Sequence, residues 1–360
     1  MKGKKTIIFI TDENNRNTSS AIKERAKGSR EAQVIIISRK ELNSFWKSFA
    51  LNYFFKKDTS IKRFVTKKVE LYMDKIPSQK VSFDVKKAIY NRMYNIFIRY
   101  NPDVVVPLVA DAFPAALAAR AKARKDIKIA TVLDEYILDK QLVYKSLDKY
   151  IVDNCDIKEE LIALGVEAEK ITVAGVPVRK HFLKEMSRED ALKAFDFEDK
   201  PTLLLIAARY GDEKLKKIIT VIDEAKFDMN VIVACGFNRK MLSFVREKTN
   251  FAGYNEGLDM NAAYSAADAV LTRPVPSVLA ESLFKKKLIF SVLPEGEAEK
   301  RTHDYLGADL AVKINSCEDL TKNIELLIKN PEEFEDKRKL IEHAVEGDPA
   351  EIILNELMSL

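Results

Sequence analysis

The chain has 360 residues, enough for two domains of ordinary size that each bury a core. No apolar run reaches the length of about eighteen residues that spans a bilayer, so we expect no membrane-spanning segment. Its three cysteines, Cys155, Cys235 and Cys317, are widely spaced. That spacing argues against a disulfide framework and a cysteine metal site, and indicates free thiols in a reducing cytoplasm.

Charge is distributed unevenly along the chain. Residues 1–180 carry 35 Lys and Arg against 22 Asp and Glu, whereas residues 181–360 carry 25 against 33. The basic first half is therefore expected to face something anionic, and membrane lipid and nucleic acid both fit. Because no nucleic-acid motif accompanies the charge, we expect no nucleic-acid partner. Glutamine is scarce while Lys and Glu abound, which favours a thermophilic source.

The first predicted element is a buried parallel strand, Lys5–Thr11. We expect the Lys-rich start to lead into this strand rather than to act as a signal peptide, because the apolar run is short and no cleavage site follows. A polar loop at 12–19 is predicted next, then a helix from Ala21 and a strand at Val34–Ser38. Asp12 directly follows the first strand and is a candidate general base.

Residues 41–100 are basic and aromatic. An aromatic stripe at helical spacing with lysines beside it is typical of an interfacial helix, whose rings lie at the acyl boundary and whose ammonium groups meet anionic headgroups. A helix packed on its own domain, with a solvated lysine face, would show the same pattern. We favour membrane docking. The residues expected at the membrane are Phe45, Trp46, Phe49, Lys56, Lys57, Lys62 and Arg63.

Strand-like apolar runs continue through the first half. Val104–Val106 predicts a strand, and Asp111 lies just beyond its carboxyl end, where ligands bind in open α/β sheets. Three further strands are predicted at Ile129–Leu133, Tyr150–Val152 and Ile171–Val173. Between the last two, a helix at 156–164 would begin at a capping box formed by Asp156 and Glu159. Strand, helix and strand in this order predict a parallel pair with a right-handed crossover.

The second half repeats the alternation. Residues 180–200 are predicted to form a linker and the beginning of a second domain. Strands are predicted at Thr202–Ala207, Val231–Cys235 and Leu288–Val292, and helices at Asp319–Lys329 and Glu332–Val345. In the first half, Asp134 and Glu135 are adjacent carboxylates at the end of the strand Ile129–Leu133. They fit a general base or a ligand of a substrate hydroxyl, and they equally fit a solvated loop.

The central stretch of the chain resembles the monogalactosyldiacylglycerol synthase and processive diacylglycerol glucosyltransferase family. The family pattern is T-V-x-T-D-Y, an aspartate-aromatic strand, E-E-L, a glycine, K-I and V-T-G-I-P-V. Without a gap, this chain has Thr131-Val132-Leu133-Asp134-Glu135-Tyr136, Asp148-Lys149-Tyr150, Glu159-Glu160-Leu161, Gly165, Lys170-Ile171 and Val173-Ala174-Gly175-Val176-Pro177-Val178.

The resemblance implies an α/β chain with the GT-B fold, in which two Rossmann-like doubly wound domains face each other across a cleft. We expect an acceptor-side and membrane-facing domain at 1–182, a nucleotide-sugar domain at 183–335, and final helices at 336–360 that return to the first domain. The implied function is transfer of a sugar from a nucleotide diphosphate sugar, in this family a UDP-sugar, to a lipid such as diacylglycerol. The enzyme would lie on the inner face of the cell membrane, with no tightly bound cofactor and no metal.

The resemblance also assigns functional residues. The candidate bases are Asp12, Asp111 and Glu135, and Asn15, Arg16 and Asn17 occupy the acceptor loop. Glu281 stands at the ribose-binding glutamate, and Ser277 is expected to cap the helix that begins near it and to contact a phosphate. The complete set of residues expected at the donor nucleotide is Arg209, Gly236, Asn238, Tyr254, Arg273, Ser277 and Glu281.

Several family positions are changed in this chain. The acceptor loop lacks the glycines and histidine of G-x-G-H, and Leu108-Val109-Ala110 replaces T-H-P. In the donor motif T-K-P-G-G-x-T, Val275 and Pro276 replace the glycines, and proline offers no N–H to a diphosphate. These changes leave a second hypothesis open, in which the chain is a non-catalytic GT-B relative that binds membranes or proteins.

Overall fold

The computed structural model describes residues 4–13, 15–41, 83–123, 125–207, 212–248, 251–255, 257–292 and 294–360. The chain divides into two compact units: Met1–Pro177 with Ala350–Leu360, and Val178–Pro349. Each unit contains a parallel sheet of six strands among the described residues. This alternation of strands and helices is that of two Rossmann-like α/β units.

The first unit is built on strands in the order β2-β1-β3-β4-β5-β6. The strands are β1 (Lys5–Thr11), β2 (Ala32–Ser38), β3 (Val104–Pro107), β4 (Lys128–Leu133), β5 (Lys149–Val152) and β6 (Ile171–Val173). The helices are α1 (Arg16–Ala26), α2 (Phe83–Tyr100), α3 (Ala112–Lys122), α4 (Cys155–Ala163) and the last helix of the chain, α13 (Pro349–Ser359).

Helices cover both faces of this sheet, which explains why its strands are apolar throughout. Alternate side chains of each strand point to opposite faces. Ile8 and Val105 pack with residues of α2, α3 and α4 on one face. Ile7 and Val104 pack with residues of α1 and α13 on the other. The predicted strand Lys5–Thr11 is confirmed.

The second unit has its strands in the order β12-β11-β10-β7-β8-β9. The strands are β7 (Thr202–Ile206), β8 (Asn230–Gly236), β9 (Phe251–Asn255), β10 (Ala269–Thr272), β11 (Leu288–Val292) and β12 (Val312–Ile314). The helices are α5 (Arg188–Ala194), α6 (Asp212–Glu224), α7 (Arg239–Arg246), α8 (Met260–Ala266), α9 (Pro276–Phe284), α10 (Gly296–Asp309), α11 (Cys317–Lys329) and α12 (Glu335–Glu342).

The structure draws the unit boundaries differently from the predicted 182 and 335. The first unit ends at Pro177, and the chain returns to it only at Ala350. The reason lies in the packing of the last segments. Phe334, just before α12, contacts the ring of Phe290 in β11, with centroids 5.8 Å apart. Ile353 and Leu357 in α13 are instead fully buried in the first unit.

Two helix starts also differ from the sequence prediction. Helix α1 begins at Arg16, so the predicted polar loop at 12–19 already contains its first turn. Helix α4 begins at Cys155, one residue before Asp156, and Asn154 is its cap, whose side chain accepts from the Ile157 N–H at 2.9 Å. Asn and Asp cap helices about equally well, so the position decides: Asn154 has extended backbone angles directly before the helix, whereas Asp156 already lies in its first turn. The helix ends at Ala163, and Gly165 after it has φ +86°, a left-handed conformation that favours glycine.

Candidate active site

A polar cleft of about 270 Å³ opens at the carboxyl ends of β1, β3 and β4 in the first unit. Loops after parallel strands meet at the same sheet edge, where α/β proteins bind their ligands. The cleft brings together all three predicted bases and one residue of the predicted acceptor loop, Asn15. Its charged lining consists of Asp12, Asp111, Asp134, Glu135, Asp139 and Arg39.

Asp111 is the most tightly held of the predicted bases. Its Oδ2 accepts from the Arg39 Nε at 2.8 Å, and the side chains are 11% and 22% exposed, respectively. Its Oδ1 is buried without a hydrogen-bond partner among the described residues. Arg39 follows β2 and has no conspicuous motif, and for this reason the sequence did not identify it as part of the site.

Asp12 and Glu135 occupy the cleft in different ways. Asp12 is half-buried directly after β1, and its Oδ1 accepts from the Asn15 backbone N–H at 3.2 Å. Glu135 follows β4 and is exposed at the cleft wall. Both carboxyl groups therefore reach space that a hydroxyl-bearing acceptor could enter.

Asp134 anchors the start of α1. Its Oδ2 accepts from the Thr18 hydroxyl, and its Oδ1 accepts from the Asn15 Nδ2 at 3.2 Å. Burial raises the pKa of Asp134, although the hydrogen bonds from Thr18 and Asn15 lower it in part. The sequence prediction placed Asp134 at a strand end but did not find these partners, which lie more than a hundred residues away along the chain.

Only part of the predicted acceptor loop reaches the cleft. Asn15 lines the wall, whereas Arg16 and Asn17 are exposed in the first turn of α1 and are not part of the lining. The helical start of this segment accounts for the separation, because successive residues on a helix point about 100° apart.

In the second unit, three predicted donor residues lie at or just beyond the carboxyl ends of β8 and β9. Gly236 adopts φ +55°, a left-handed conformation that favours glycine. Asn238 caps α7, and its Oδ1 accepts from the Met241 N–H at 3.0 Å. Tyr254 is half-buried, and its ring lies 5.3 Å from the Phe195 ring. These loops share the carboxyl edge of the sheet.

Arg273 makes contacts that differ from the predicted phosphate contact. Its side chain is 6% exposed, and Glu299 Oε2 accepts from both Nε at 3.0 Å and Nη2 at 2.6 Å. Its Nη1 also lies 3.1 Å from Glu295 Oε2. Two carboxylates therefore surround the guanidinium and tie the end of β10 to the start of α10. The sequence prediction matched the basic residue but did not identify these acidic partners.

Glu281 on α9 has an unusual environment. Tyr264 Oη donates to its Oε2 at 3.2 Å, and Tyr264 is itself fully buried. Burial raises the pKa of Glu281 to about 7, although the Tyr264 hydroxyl and the charge of Arg179 lower it. This carboxyl group therefore changes charge near neutral pH.

The predicted cap at Ser277 is wrong. The N-cap position of α9 is Val275, without a side-chain cap, and Pro276 is the first helical residue. Proline is favoured at that position because its missing N–H has no helical partner there. Ser277 therefore lies inside the first turn.

Some predictions fall on residues that the structure does not describe. Arg209 and the whole membrane set, from Phe45 to Arg63, are among them. Within the described ranges, no helix combines the length and the apolar character needed to cross a bilayer. The same ranges contain no group of three His, Cys, Asp or Glu side chains arranged to hold a metal ion.

Comparison with known proteins connects both units to lipid glycosyltransferases. Residues 16–178 match the family model of monogalactosyldiacylglycerol (MGDG) synthase. The chain is 23% identical over 300 residues to the processive diacylglycerol β-glucosyltransferase of Bacillus licheniformis, covering 77% of this chain and 76% of that protein.

Solved structures support the fold. MurG of Acinetobacter baumannii superposes with a TM-score of 0.64 at 14% identity, covering 99% of this chain and all of that one. HepE of Anabaena, solved in complex with UDP-glucose, gives a TM-score of 0.56 at 13% identity, covering 98% of each chain. The resemblance found in the sequence is therefore confirmed: the chain has the GT-B fold and is similar to the MGDG synthases and processive diacylglycerol glucosyltransferases.

Proposed function

We propose that the protein is a glycosyltransferase that moves a hexose from a nucleotide diphosphate sugar, specifically a UDP-sugar, to a lipid hydroxyl such as that of diacylglycerol. The observation that carries the proposal is the similarity to a diacylglycerol glucosyltransferase, which extends over about three-quarters of both chains. The UDP-glucose complex of HepE supports the choice of donor.

The cleft in the first unit is the proposed acceptor site. Glycosyl transfer requires a base that takes the proton of the acceptor hydroxyl as its oxygen attacks the sugar carbon, while the diphosphate leaves. Asp111 already accepts from Arg39, and Glu135 lies at the exposed wall. We therefore assign the base to Asp12, which is half-buried in the cleft directly after β1.

Matched variants test this assignment. Asp12→Asn removes the basic oxygen with little change in shape, so kcat should fall about 10²- to 10⁴-fold. Asp156→Asn is the control, because Asp156 is an exposed carboxyl on α4 that does not line the cleft. Equal activity of wild type and Asp12→Asn would remove Asp12 from the reaction, and the same comparison with Asp111→Asn and Glu135→Gln would then identify the base.

The second unit is the proposed donor site. Glu281 would accept from the ribose hydroxyls, with Gly236, Asn238 and Tyr254 around the nucleotide and Arg209 and Ser277 near the phosphates. We assign Arg273 to support of the loop before α10 rather than to the diphosphate, because Glu295 and Glu299 surround it.

Calorimetric titration with uridine diphosphate should give micromolar binding, about 8 kcal/mol, and Glu281→Ala should abolish it. Unchanged binding to that variant would exclude the ribose role.

We also propose that the protein acts in the cytoplasm, on the inner face of the cell membrane, through residues 45–63. The sequence supports this with its aromatic stripe followed by lysines, which suits an anionic surface. Co-sedimentation with liposomes should require anionic lipid and weaken with salt, because screening shortens the reach of the charges. Equal binding to neutral vesicles would contradict the electrostatic contribution.

One observation favours the alternative, a non-catalytic GT-B relative. Arg273, which was expected at the diphosphate, forms ion pairs with two carboxylates. Beside it, Val275 and Pro276 replace the glycines of the family motif. Folded protein that binds no nucleotide in the calorimetric titration would establish this alternative and exclude the transferase.

A further inference from the structure

Two half-buried aspartates are neighbours at the sheet edge that forms the cleft: Asp134 lines the cleft, and both oxygens of Asp153 are buried. Asp134 is the first residue after β4, and Asp153 is the first after β5. The strands pair in parallel with Leu133 beside Val152, so Asp134 and Asp153 occupy the next register position. Neighbouring strands lie about 4.8 Å apart, and residues in register point to the same face.

This face is the one covered by α1 and α13. Val132 and Ile151, one position before the register pair of Leu133 and Val152, belong to the core cluster on that side. Asp134 and Asp153 extend the same two rows, because side chains two positions apart on a strand share a face. The bond from Thr18 in α1 to Asp134 agrees with this placement.

The two carboxyl groups differ in their hydrogen bonds. Asp134 accepts from Thr18 and Asn15. Both oxygens of Asp153 are buried, and no hydrogen bond of full geometry reaches them from the described residues. The Asn154 side chain and the backbone N–H groups of Asp153 and Asn154 interact with this carboxyl group only weakly. The Asn154 side chain is also used elsewhere, since its Oδ1 caps α4 and its Nδ2 donates to the Tyr136 carbonyl at 3.3 Å.

A buried carboxylate with few and weak donors is costly, and such a group tends to take up a proton instead. A second carboxylate at the neighbouring register position adds like-charge repulsion. Burial raises the pKa of Asp153 well above its usual range, although hydrogen bonds from Asn154 and the backbone lower it in part, and the charge of Asp134 raises it further.

The charged groups that line the same cleft as Asp134 are Asp12, Arg39, Asp111, Glu135 and Asp139. Arg39 is paired with Asp111, and the charge of Asp12 raises the pKa of Asp134.

We propose that Asp134 and Asp153 hold one proton between them at neutral pH, and that this protonated pair fixes the first turn of α1 at the wall of the cleft. Asp153 is then a positioning residue. It acts on Asp134, which binds Thr18 and Asn15, and Asn15 in turn donates its backbone N–H to Asp12. Loss of the shared proton places two adjacent negative charges beneath this turn and loosens it.

The first experiment does not depend on any enzymatic activity. Urea unfolding is measured between pH 4 and 8 for the wild type, Asp153→Asn and Asp134→Asn. A carboxyl group whose folded pKa is raised contributes stability that is full below its unfolded pKa and is lost as pH rises through its folded pKa. Each unit of pKa change alters the unfolding equilibrium constant tenfold.

In the wild type, the unfolding equilibrium constant should rise between pH 4 and 8. In each asparagine variant this rise should be at least tenfold smaller than in the wild type. Glu159 is an exposed carboxyl on α4, so Glu159→Gln is the control and should keep the wild-type dependence of unfolding on pH. Asp153→Ser serves as a second variant in case the amide packs poorly. A wild-type pH profile in both Asp153 variants would overturn the proposal.

The consequence for catalysis rests on the proposed function. The wild-type rate of glycosyl transfer should fall as pH rises through the pKa of the pair, and this limb should be absent in Asp153→Asn, which cannot place two negative charges side by side. If the unfolding profiles change as expected but no sugar is transferred, the acid pair stands and the proposed function fails. If sugar is transferred and both profiles of Asp153→Asn match the wild type, the function stands and the acid pair fails.

Discussion

Replacing Arg273 with Met tests whether this arginine supports the fold or binds a phosphate. The substitution keeps most of the side-chain length but leaves Glu299 and Glu295 without their shared cation. Removing one partner of a buried ion pair costs about 3–5 kcal/mol. Arg273 is 6% exposed and Glu299 is 19% exposed, whereas Glu295 is 46% exposed and can return to water.

We therefore expect the lower end of that range, a loss of about 3 kcal/mol in the free energy of unfolding of the second unit. For a unit of this size the loss corresponds to a decrease of roughly 6–12 °C in Tm. Urea and thermal unfolding of the full chain measure both. Arg239→Met, a substitution of an exposed arginine on α7, is the matched control and should stay within about 0.5 kcal/mol of the wild type.

The double variant Arg273→Met with Glu299→Gln should recover part of the loss, because the uncompensated charge is removed. The reasoning is refuted if Arg273→Met unfolds like the wild type while uridine diphosphate no longer binds. That result would make the guanidinium a phosphate ligand, as the sequence comparison predicted.

Three further predictions concern stability. Burial raises the pKa of Glu281 to about 7, so wild type should lose stability as pH rises from about 4.5 through 7, and Glu281→Gln should remove that part of the loss in unfolding titrations. Burial lowers the pKa of His303, whose Nδ1 lies 2.8 Å from Ser291 Oγ, so stability should fall as pH drops below about 6.5, and His303→Gln should flatten this limb. Gly165→Ala should lower Tm by several degrees, because a residue with a Cβ is strained at φ +86°, whereas the flexible Lys145 side chain near this position can move away; an unchanged Tm would contradict this.

The strands were predictable because their signal is local. Lys5–Thr11 is predicted and observed with the same bounds, and the run predicted at Ile129–Leu133 is observed one residue longer, as β4. Both are apolar segments that parallel sheets bury on both faces. The GT-B fold followed from the order of such segments and from a motif that covers about fifty residues.

Helix starts were less predictable, because several polar residues compete for the cap. Asn154 and Asp156 are both suitable caps for α4. Which of them caps the helix depends on where β5 ends and the backbone turns into the helix. The first turn of α1 is polar, and its helical state is stabilised by Asp134, which lies in a distant part of the chain. No local pattern contains this information.

The lining of the cleft was predictable only in part. Asp12, Asp111 and Glu135 were expected at one sheet edge because each follows a strand, and all three line the cleft; their role as bases stays a prediction. The contacts of Arg39, Asp153 and Glu299 were not predicted, because they join elements that are separated in sequence. A basic residue at a matched position, such as Arg273, reveals its role only when its acidic partners are located.

The most direct test of the proposed function is transfer itself. The full chain is incubated with UDP-glucose and vesicles that contain diacylglycerol and anionic lipid, and the lipid extract is analysed by mass spectrometry. We expect a hexosyl-diacylglycerol product that forms with the wild type and Asp156→Asn and is lost with Asp12→Asn. Folded wild-type protein that yields no glycolipid with UDP-glucose or any other nucleotide sugar would contradict the assignment as a glycosyltransferase.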